Sequence, residues 1–332
     1  MSSLNLPRAV VTGTGSAVPE RIVTNDELAR SVDTNDEWIV QRTGIRERRV
    51  SGPLETSSTL GAEAARRALA AAGTDAEAID LVVVATTTPD YPWPSAACMV
   101  QDAIGAKNAG AFDLSAACAG FAYAMAVGGS MIASEGARKV LVVGADTLTK
   151  QLDWTDRATC ILFGDGAGAV VLSRGDDADA RGLLYSSLHA DGGGWEFIYC
   201  QPGSRHPIDD KLVAGRNQYI KMRGRDVYKF AVTRFQEMLE DALAKTGLSV
   251  EDVALVVPHQ VNQRIIDAAM ERLKLPPEKA IVNLDRYGNT SAASIPIALD
   301  EAVRAGRLNK GDVAVFVAFG AGLTWANAVV RM

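Results

Sequence analysis

The sequence predicts an α/β protein made of two similar halves. Short aliphatic runs such as LVVVA and KVLVV have the length of buried strands, and they alternate with helical patterns of ten or more residues. This alternation is typical of a mixed or parallel sheet that is covered by helices on both faces. The second observation is an internal repeat, because residues 61–86 match residues 235–260 at an offset of 174, helix for helix and strand for strand.

The repeat continues on both sides of the most polar internal segment, residues 173–182. RKVLVVGAD resembles GDVAVFVAFG, and FGDGAGAVVLS resembles FGAGLTWANAVVR. We therefore expect an N-terminal half, residues 1–175, and a C-terminal half, residues 176–332. Because the halves are alike, their apolar helices are expected to pack together in one body with pseudo-twofold symmetry.

In chain order, RAVVTGTGS predicts a first strand and a glycine-rich turn, and a helix is expected near Thr24, a capping residue that precedes acidic positions. The segment GTGSAV lacks the third glycine of a dinucleotide-binding fingerprint, because Val18 stands there. Gly13 and Gly15 are therefore interpreted as turn residues.

The next segment, DTNDEWIVQRTGIRERR, places Trp38 close to several arginines. An aromatic plane beside guanidinium groups suits a phosphorylated, base-bearing ligand such as a nucleotide or coenzyme A. An exposed basic loop anchored by one tryptophan is the competing interpretation, and the segment taken alone favours it.

The stretch AFDLSAACAGFAYAMAVGGSMI predicts a strand that enters a buried helix through Cys118. Small neighbours allow a sharp turn there, and a helix N-terminus offers unpaired N–H groups and a positive dipole end, which favour a thiolate. This is the arrangement of a nucleophile elbow. A buried cysteine that acts as a small apolar side chain is the alternative.

The repeat also places polar side chains at equivalent strand ends. The end of LVVVA in the first half corresponds to His259, and the turn with Cys118 corresponds to the segment with Asn289. Cys118 can hold an acyl group as a thioester, while His259 and Asn289 can donate hydrogen bonds to a developing oxyanion. The backbone N–H groups of Cys118 and of the glycine-flanked Ala321 are candidates for an oxyanion hole.

Composition excludes several classes of protein. With 332 residues, 48% hydrophobic and 22% charged, and a net charge of -6, the chain should be a well-cored globular protein without an extended nucleic-acid surface. Its four cysteines form no CxxC pair and its remaining histidines have no metal-ligand spacing, so neither disulfides nor a metal site is expected. The N-terminus lacks a signal-peptide pattern and the aliphatic runs are too short to span a bilayer, which predicts a cytoplasmic protein without membrane association.

At these residues the chain resembles the β-ketoacyl-acyl-carrier-protein synthase III family of the thiolase superfamily. The resemblance extends from TGTGSAVPE to FGAGLTWANAVVRM, and it is carried by DTNDEWIVQRTGIRERR, FDLSAACAGF, DRATCILFGDGAGA, VPHQVNQRI and GNTSAAS. It implies a thiolase-like, five-layered αβαβα fold, a homodimer, and a catalytic triad of Cys118, His259 and Asn289.

The resemblance also implies a ping-pong condensation that needs no metal or redox cofactor. An acyl-CoA primer acylates Cys118 and CoA leaves. Malonyl-acyl-carrier protein then loses CO2, and its enolate, held by His259 and Asn289, attacks the acyl-cysteine. The implied partners are therefore acyl-CoA and acyl carrier protein, and the product is a β-ketoacyl-carrier protein.

Further residues are assigned by the same resemblance, with the CoA adenine expected between Trp38 and Arg157. The CoA-binding set is Thr34, Trp38, Arg42, Arg157 and Asn262, and the carrier-protein set is Gln260, Asn262, Arg264 and Lys229. Trp93 and Phe319 are assigned to the acyl pocket. The bulky Trp93, reaching the pocket of a second copy, is expected to shorten it and to favour short primers such as acetyl-CoA. Near Lys229, the basic stretch KMRGRDVYK predicts a strand with residues 221, 223 and 225 on one face.

Several related functions remain as alternatives. A synthase III-like acyltransferase that primes polyketide or other secondary-metabolite synthesis would share these motifs. A thiolase is disfavoured because FGAGLTW lacks a second cysteine, and a chalcone-type synthase would take its extender from CoA. A non-catalytic partner subunit would lack the nucleophile, so the presence of Cys118 argues against it.

Overall fold

The computed structural model describes residues 6–176 and 180–332. The strands are β1 (Ala9–Ala17), β2 (Ile22–Thr24), β3 (Glu47–Arg49), β4 (Leu81–Ala85), β5 (Gly110–Leu114), β6 (Lys139–Thr147), β7 (Asp165–Arg174), β8 (Gly182–Ala190), β9 (Ile198–Cys200), β10 (Ile220–Met222), β11 (Val253–Pro258), β12 (Val313–Gly320) and β13 (Thr324–Arg331). The helices are α1 (Asn25–Leu28), α2 (Asp36–Thr43), α3 (Ser57–Ala72), α4 (Ala96–Ile104), α5 (Gly120–Ala133), α6 (Arg157–Cys160), α7 (Asp210–Ala214), α8 (Gly224–Thr246), α9 (Gln263–Arg272), α10 (Leu284–Tyr287) and α11 (Ser294–Arg304). The helix predicted near Thr24 is α1, and the Thr24 hydroxyl caps it by accepting a hydrogen bond from the Glu27 N–H.

Two sheets form the frame of the molecule. The first has the strand order β1-β7-β6-β4-β5, and the second has the order β8-β13-β12-β11. In the first sheet β1 and β6 each pair with β7 antiparallel, and β6 pairs with β4 parallel. In the second sheet β8 and β12 each pair with β13 antiparallel, and β12 pairs with β11 parallel. Four strands of each sheet therefore share one order and one set of directions.

Helices separate the two sheets and cover their outer faces. Helices α3 and α4 pack on the outside of the first sheet, α5 and α11 lie between the sheets, and α8 covers the outside of the second sheet with α9 beside it. The result is a five-layered αβαβα arrangement, so the predicted fold class is confirmed.

The composition of α5 follows from its place between the sheets. A Cβ atom added at Gly128 would lie 3.0 Å from Leu172 of the first sheet, and one added at Gly129 would lie 2.5 Å from Leu183 of the second. Both sheets thus approach the helix so closely that there is space for glycine but not for a larger side chain at these two positions. Because larger residues would force the layers apart, the helix that follows Cys118 is rich in alanine and glycine.

The prediction that Gly13 and Gly15 form a turn is wrong. Both lie inside β1, on the face that packs against α3. A Cβ at Gly15 would lie 2.4 Å from the carbonyl oxygen of Ala64 and 2.4 Å from the backbone nitrogen of Ala68. The glycines are therefore required by close contact between the strand and the helix backbone.

The first sheet is drawn from residues 9–174 and the second from residues 182–331. The division of the chain at residues 175 and 176 stays a prediction, and α11 of the C-terminal half packs against β7 and β1 of the first sheet. Residues 177–179 of the polar segment and residues 1–5 at the N-terminus lie outside the described residues. Among the helices that are described, none has both the length and the apolar character needed to cross a membrane.

Candidate active site

Cys118 lies in a sharp turn between a strand and a helix. Strand β5 ends at Leu114, Ala117 adopts a left-handed backbone conformation with φ of 47°, and a short 3-10 turn over Ala117–Ala119 leads into α5. Such a φ is unfavourable for a residue with a Cβ atom, so the turn is held by its surroundings. The hydroxyl of Thr324 contributes, since it donates a hydrogen bond of 2.8 Å to the Ala116 carbonyl.

Asn289 lies in a matching turn of the second half. Ser291 has φ of 52°, and a 3-10 turn over Ser291–Ala293 leads into α11. The Asn289 N–H donates to the carbonyl of Leu162 at 2.8 Å, and the Asn289 side-chain Oδ1 accepts from the Ser291 N–H at 2.9 Å. With Oδ1 occupied in this way, the Nδ2 group is the end of the amide that remains to donate to a ligand.

His259 directly follows β11, at the end of the second sheet. Its backbone N–H donates to the Val317 carbonyl at 2.8 Å, and the residue is 1% exposed. The imidazole packs edge-on against Phe319 with 5.5 Å between ring centroids. Within the described part of the chain its Nδ1 atom has no hydrogen-bond partner.

Cys118 lies where two cavities meet. The smaller cavity, of about 40 Å³, is lined by Cys118 together with His259, Asn289 and Phe319. The larger, of about 450 Å³, is lined by Cys118 and Ser291 and otherwise by mainly apolar residues such as Ile198. The structure therefore brings the thiol, the imidazole and the carboxamide to a common site. The larger cavity adjoins this site and shares Cys118, Phe163, Ile198 and Ala321 with it.

Burial controls the protonation of the site. Desolvation raises the pKa of the Cys118 thiol to about 12, with the Asp146 charge acting in the same direction and a hydrogen bond from Ser291 opposing it. Desolvation also lowers the pKa of His259 to about 3. The expectation that the helix N-terminus holds a thiolate is therefore wrong for the resting site, which pairs a neutral thiol with a neutral imidazole.

The predicted oxyanion hole lies beside the end of β12. A Cβ atom at Gly320 would come within 2.6 Å of the Cys118 backbone nitrogen, so the lack of a side chain keeps this N–H uncovered. Ala321 lines both cavities together with Cys118. Its N–H as a donor to an oxyanion stays a prediction.

Trp38 lies under two guanidinium groups. It belongs to α2, which is capped by Asn35, and the Cζ atoms of Arg42 and Arg157 lie 4.6 Å and 5.0 Å from its ring centroid. A purine between Trp38 and Arg157 needs about 7 Å, twice the contact distance of carbon atoms. Arg157 thus lies against the indole, and a base between the two would require its guanidinium group to move outward.

Both halves of the chain match models of one protein family. Models of the 3-oxoacyl-[acyl-carrier-protein] synthase III family match residues 112–192, and models of its C-terminal part match residues 243–332. The β-ketoacyl-[acyl-carrier-protein] synthase III of Roseiflexus castenholzii is 53% identical over 324 residues, which cover 97% of this chain and 98% of that protein. The chain belongs to the β-ketoacyl-[acyl-carrier-protein] synthase III family.

Solved structures agree with this family. The synthase III of Thermus thermophilus is 46% identical with a TM-score of 0.91, covering 97% of this chain and 98% of that chain. The priming β-ketosynthase of the R1128 polyketide pathway is 39% identical, also with a TM-score of 0.91, covering 98% and 97%. As a synthase III, the chain is an acyltransferase of the initiating, condensing type.

The prediction that Gln260 takes part in carrier-protein docking is wrong. Gln260 is 1% exposed, and its amide bonds to the carbonyls of Pro258 and Ile281 and to the N–H of Asn283. A residue buried and bonded in this way cannot touch a docking protein. Arg264 lies on the surface.

The stretch KMRGRDVYK is also corrected. Only residues 220–222 form a strand, and α8 begins at Gly224, so the basic side chains do not share a strand face. Arg223 forms an ion pair with Glu196. Lys229 lies exposed on α8, one helical turn beyond Arg225.

Asn262 and Thr34 were both assigned to CoA binding, and each has a defined environment. Asn262 caps α9 by accepting a hydrogen bond from the Arg264 N–H, and its Nδ2 donates to the Arg42 carbonyl at 2.9 Å. It therefore links the Trp38 helix to the loop after His259. Thr34 is half-buried, and its hydroxyl has no hydrogen-bond partner among the described residues.

Trp93 does not line either cavity of its own chain. Its side chain is 84% exposed, in the loop before α4. Phe319, also assigned to the acyl pocket, lines the smaller cavity beside His259 and does not line the larger one.

Ser291, which lines the larger cavity, and Asp146, whose charge helps to raise the pKa of Cys118, were not predicted from the sequence. The signal for Ser291 was the repeat itself, because Ala117 and Ser291 are separated by the repeat offset of 174 and both adopt positive φ. Across the described ranges, the structure has no cluster of three or more His, Cys, Asp or Glu side chains suited to a metal ion.

Proposed function

We propose that Cys118 is the nucleophile of a two-step condensation between an acyl-CoA primer and malonyl-acyl-carrier protein. The observation that carries the proposal is the position of the sulfur at the junction of two cavities, with His259 and Asn289 lining only one of them. An acyl chain can remain in the larger cavity while a second substrate enters the smaller one. A ping-pong reaction requires that the acyl group stay on the sulfur after CoA leaves, and the larger cavity offers space for it.

In the first step, the Cys118 sulfur attacks the thioester carbonyl of the primer. Because the pKa of the thiol is raised to about 12, its proton must leave as the S–C bond forms, and the neutral His259 is the available base. The N–H groups of Cys118 and Ala321 hold the carbonyl oxygen as it becomes negative. CoA then leaves as the thiol, taking the proton.

In the second step, malonyl-acyl-carrier protein loses CO2 as its C–C bond breaks. The electron pair forms an enolate whose oxygen accepts hydrogen bonds from His259 and from the Nδ2 group of Asn289. Neither donor is a strong acid, so the carbanion is not protonated before it attacks the acyl group on Cys118. The C–S bond breaks and Cys118 leaves as a thiolate, which takes up a proton from solvent to restore the neutral thiol. The product is a β-ketoacyl-carrier protein, and no metal or redox cofactor takes part.

We place the CoA adenine between Trp38 and Arg157, with Arg42, Thr34 and Asn262 beside it. The two guanidinium groups beside the Trp38 ring support this. A purine would displace the Arg157 group, which in this structure donates a hydrogen bond to the Asp33 carbonyl. Carrier-protein docking is assigned to Arg264 and Lys229, which are exposed and basic, whereas the whole chain is acidic.

We further propose a homodimer that forms through the edge strand β5. This strand is the last in its sheet, and Phe112 on it is 40% exposed. The loop with Trp93 lies at the same edge, since the adjoining N–H of Ala96 donates to Asp113 of β5 at 2.8 Å. Trp93 from a second copy would then reach the larger cavity and favour short primers such as acetyl-CoA. We also propose that the protein is cytoplasmic.

The structural similarity to a polyketide priming enzyme supports one alternative, in which the same chemistry starts a secondary metabolite. Turnover with a panel of acyl-CoA primers, and with malonyl-carrier protein against malonyl-CoA, separates the two functions. The proposed function expects the highest rate with acetyl-CoA and malonyl-carrier protein. A maximum at eight carbons or more would contradict the short-primer assignment.

The catalytic roles are tested by labelling with radioactive acetyl-CoA. Label is expected on the wild-type protein and is expected to be absent in Cys118→Ala. Asn289→Ala should still be labelled but should lose about 100-fold in condensation, because it removes one oxyanion donor. Equal loss of both steps in Asn289→Ala would show that the assigned role is wrong, and a wild-type protein without label would indicate a non-catalytic partner subunit.

A further inference from the structure

Asp146 is a fully buried carboxylate at the end of β6, and it joins two loops of the site. Its Oδ1 atom lies within 3.2 Å of five donor atoms from the segment Thr86–Thr88. Its Oδ2 atom accepts a hydrogen bond of 3.2 Å from the N–H of Ala292. The residue is 0% exposed. One side chain therefore connects the loop that follows β4 to the turn that follows Asn289.

The repeat shows what is unusual about this bond. The residue 174 positions after Asp146 is Gly320, at the corresponding end of β12, and Ala292 corresponds in the same way to Cys118. Gly320 lies beside the Cys118 N–H and leaves it uncovered, whereas Asp146 binds the equivalent N–H of Ala292 with a carboxylate oxygen. In the turn after Asn289, the Asp146 carboxylate therefore occupies the position beside the backbone N–H that is left open in the turn of Cys118.

The peptide bound by Asp146 is adjacent to the N–H group that orients the Asn289 side chain. Ser291 precedes Ala292, and its N–H is the donor to Asn289 Oδ1 at 2.9 Å. Ser291 holds a positive φ of 52°, an unfavourable conformation that must be held by neighbouring contacts. The bond from Ala292 to Asp146 fixes the next peptide group and so helps to maintain this turn.

Resting on the proposed roles of Cys118 and Asn289, we infer that Asp146 is a positioning residue for the condensation step. It holds the 291–292 peptide so that the Asn289 amide presents Nδ2 to the enolate. Cys118 is held by a different turn, and its acylation does not depend on Asn289. Loss of Asp146 should therefore impair the second step far more than the first.

The test compares the two steps in single turnovers of full-length Asp146→Asn, which keeps the size of the side chain but replaces an acceptor oxygen by a donor. Acylation by acetyl-CoA is expected to stay within threefold of wild type. Condensation of the acyl-enzyme with malonyl-carrier protein is expected to fall at least 30-fold, as a small misplacement of a reacting group commonly does. Equal losses in both steps, or no loss in either, would overturn the inference.

Asp300→Asn is the matched control. Asp300 is also a buried carboxylate, bonded to Thr14, Ser16 and Arg304, and it lies on α11, the helix that follows the Asn289 turn. The ratio of the two rates should match wild type in this variant. If Asp146→Asn does not fold, Thr86→Val removes one donor to Asp146 with little change in shape, and a selective loss of about threefold in condensation is expected. A folded Thr86→Val with an unchanged ratio would count against the inference.

A second readout depends on charge. Because the Asp146 carboxylate is one cause of the raised pKa of Cys118, the amide variant should be alkylated by iodoacetamide faster at pH 8, by up to the threefold allowed for acylation, and Asp300→Asn should not. A purely structural role for Asp146 predicts no such acceleration. Failure of the proposed function is distinguishable, since wild-type protein would then show no acylation at all.

Discussion

At the scale of single residues, the site is neutral before substrate binds. The sulfur of Cys118 and the ring of His259 are both desolvated, and each is held in its uncharged form. A neutral imidazole can accept the thiol proton in the first step and can donate an N–H in the second. The same environment therefore serves both steps, with the thiol and the imidazole each uncharged at the start.

The raised pKa of Cys118 predicts its reactivity. Alkylation of Cys118 by iodoacetamide, followed by peptide mass, should increase about tenfold per pH unit from pH 7 to pH 10 without reaching a plateau, because the thiolate fraction is still rising. Cys118→Ala identifies the peptide, since Cys98 is also exposed. A plateau near pH 8 would contradict the assigned direction of the shift.

His259 predicts a pH dependence of stability. Its pKa is about 3 when folded and 6.5 as the ordinary value, so below pH 6.5 the unfolded chain binds a proton that the folded protein excludes. The group therefore lowers the free energy of unfolding as pH falls, by up to about 1.4 kcal/mol per pH unit between these values. In denaturant titrations, His259→Gln should lose less stability than wild type from pH 6 to pH 4. His189→Gln, at an exposed histidine, should follow wild type, and identical slopes for both variants would refute the prediction.

At the scale of elements, the site depends on strands and helices that approach closely. Strand β1 packs backbone to backbone against α3 through Gly13 and Gly15, and the polar side of the same strand binds Asp300 of α11. Both contacts fix the layers from which the loops of Cys118 and Asn289 emerge.

Gly15→Ala tests this contact. The added Cβ would meet backbone atoms of α3 at 2.4 Å, which cannot be relieved by a change of rotamer. We expect the free energy of unfolding to fall by about 1–3 kcal/mol, the usual cost of overpacking. Gly203→Ala, where nothing lies within 4 Å of the added atom, should be close to neutral. Comparable stabilities of the two variants in urea titrations would show that the strand can move.

At the scale of the whole molecule, the open edge at β5 is the basis of the proposed homodimer. An unpaired strand edge with an exposed phenylalanine favours association with another strand. Light scattering should give twice the 35.1 kDa mass of the chain for wild type. Phe112→Lys should shift the protein toward monomer, while Tyr228→Lys on α8 should not. A monomeric wild type would remove the basis for a role of Trp93 in primer selection.

Much of this arrangement could be predicted from the sequence, because a repeat transfers information between halves. The elbow at Cys118 follows from its small neighbours, and the place of His259 follows from its offset relative to a strand end. Gly15 was misassigned because its close contact with helix α3, which is distant in sequence, cannot be recognised from the local composition. Gln260 was misassigned for a related reason, as its partners Ile281 and Asn283 are separated from it by α9.

The junction of the two cavities at one sulfur has a consequence for inhibition. A covalent reagent with a short aliphatic tail on one side of its electrophile and, on the other, a slender and mainly apolar arm that ends in a hydrogen-bond acceptor for His259 and Asn289 would occupy both spaces at once. Enzymes whose reactive cysteine opens into a single pocket have room for only one of these groups. Selectivity for this protein is therefore best sought in two-armed compounds rather than in stronger electrophiles.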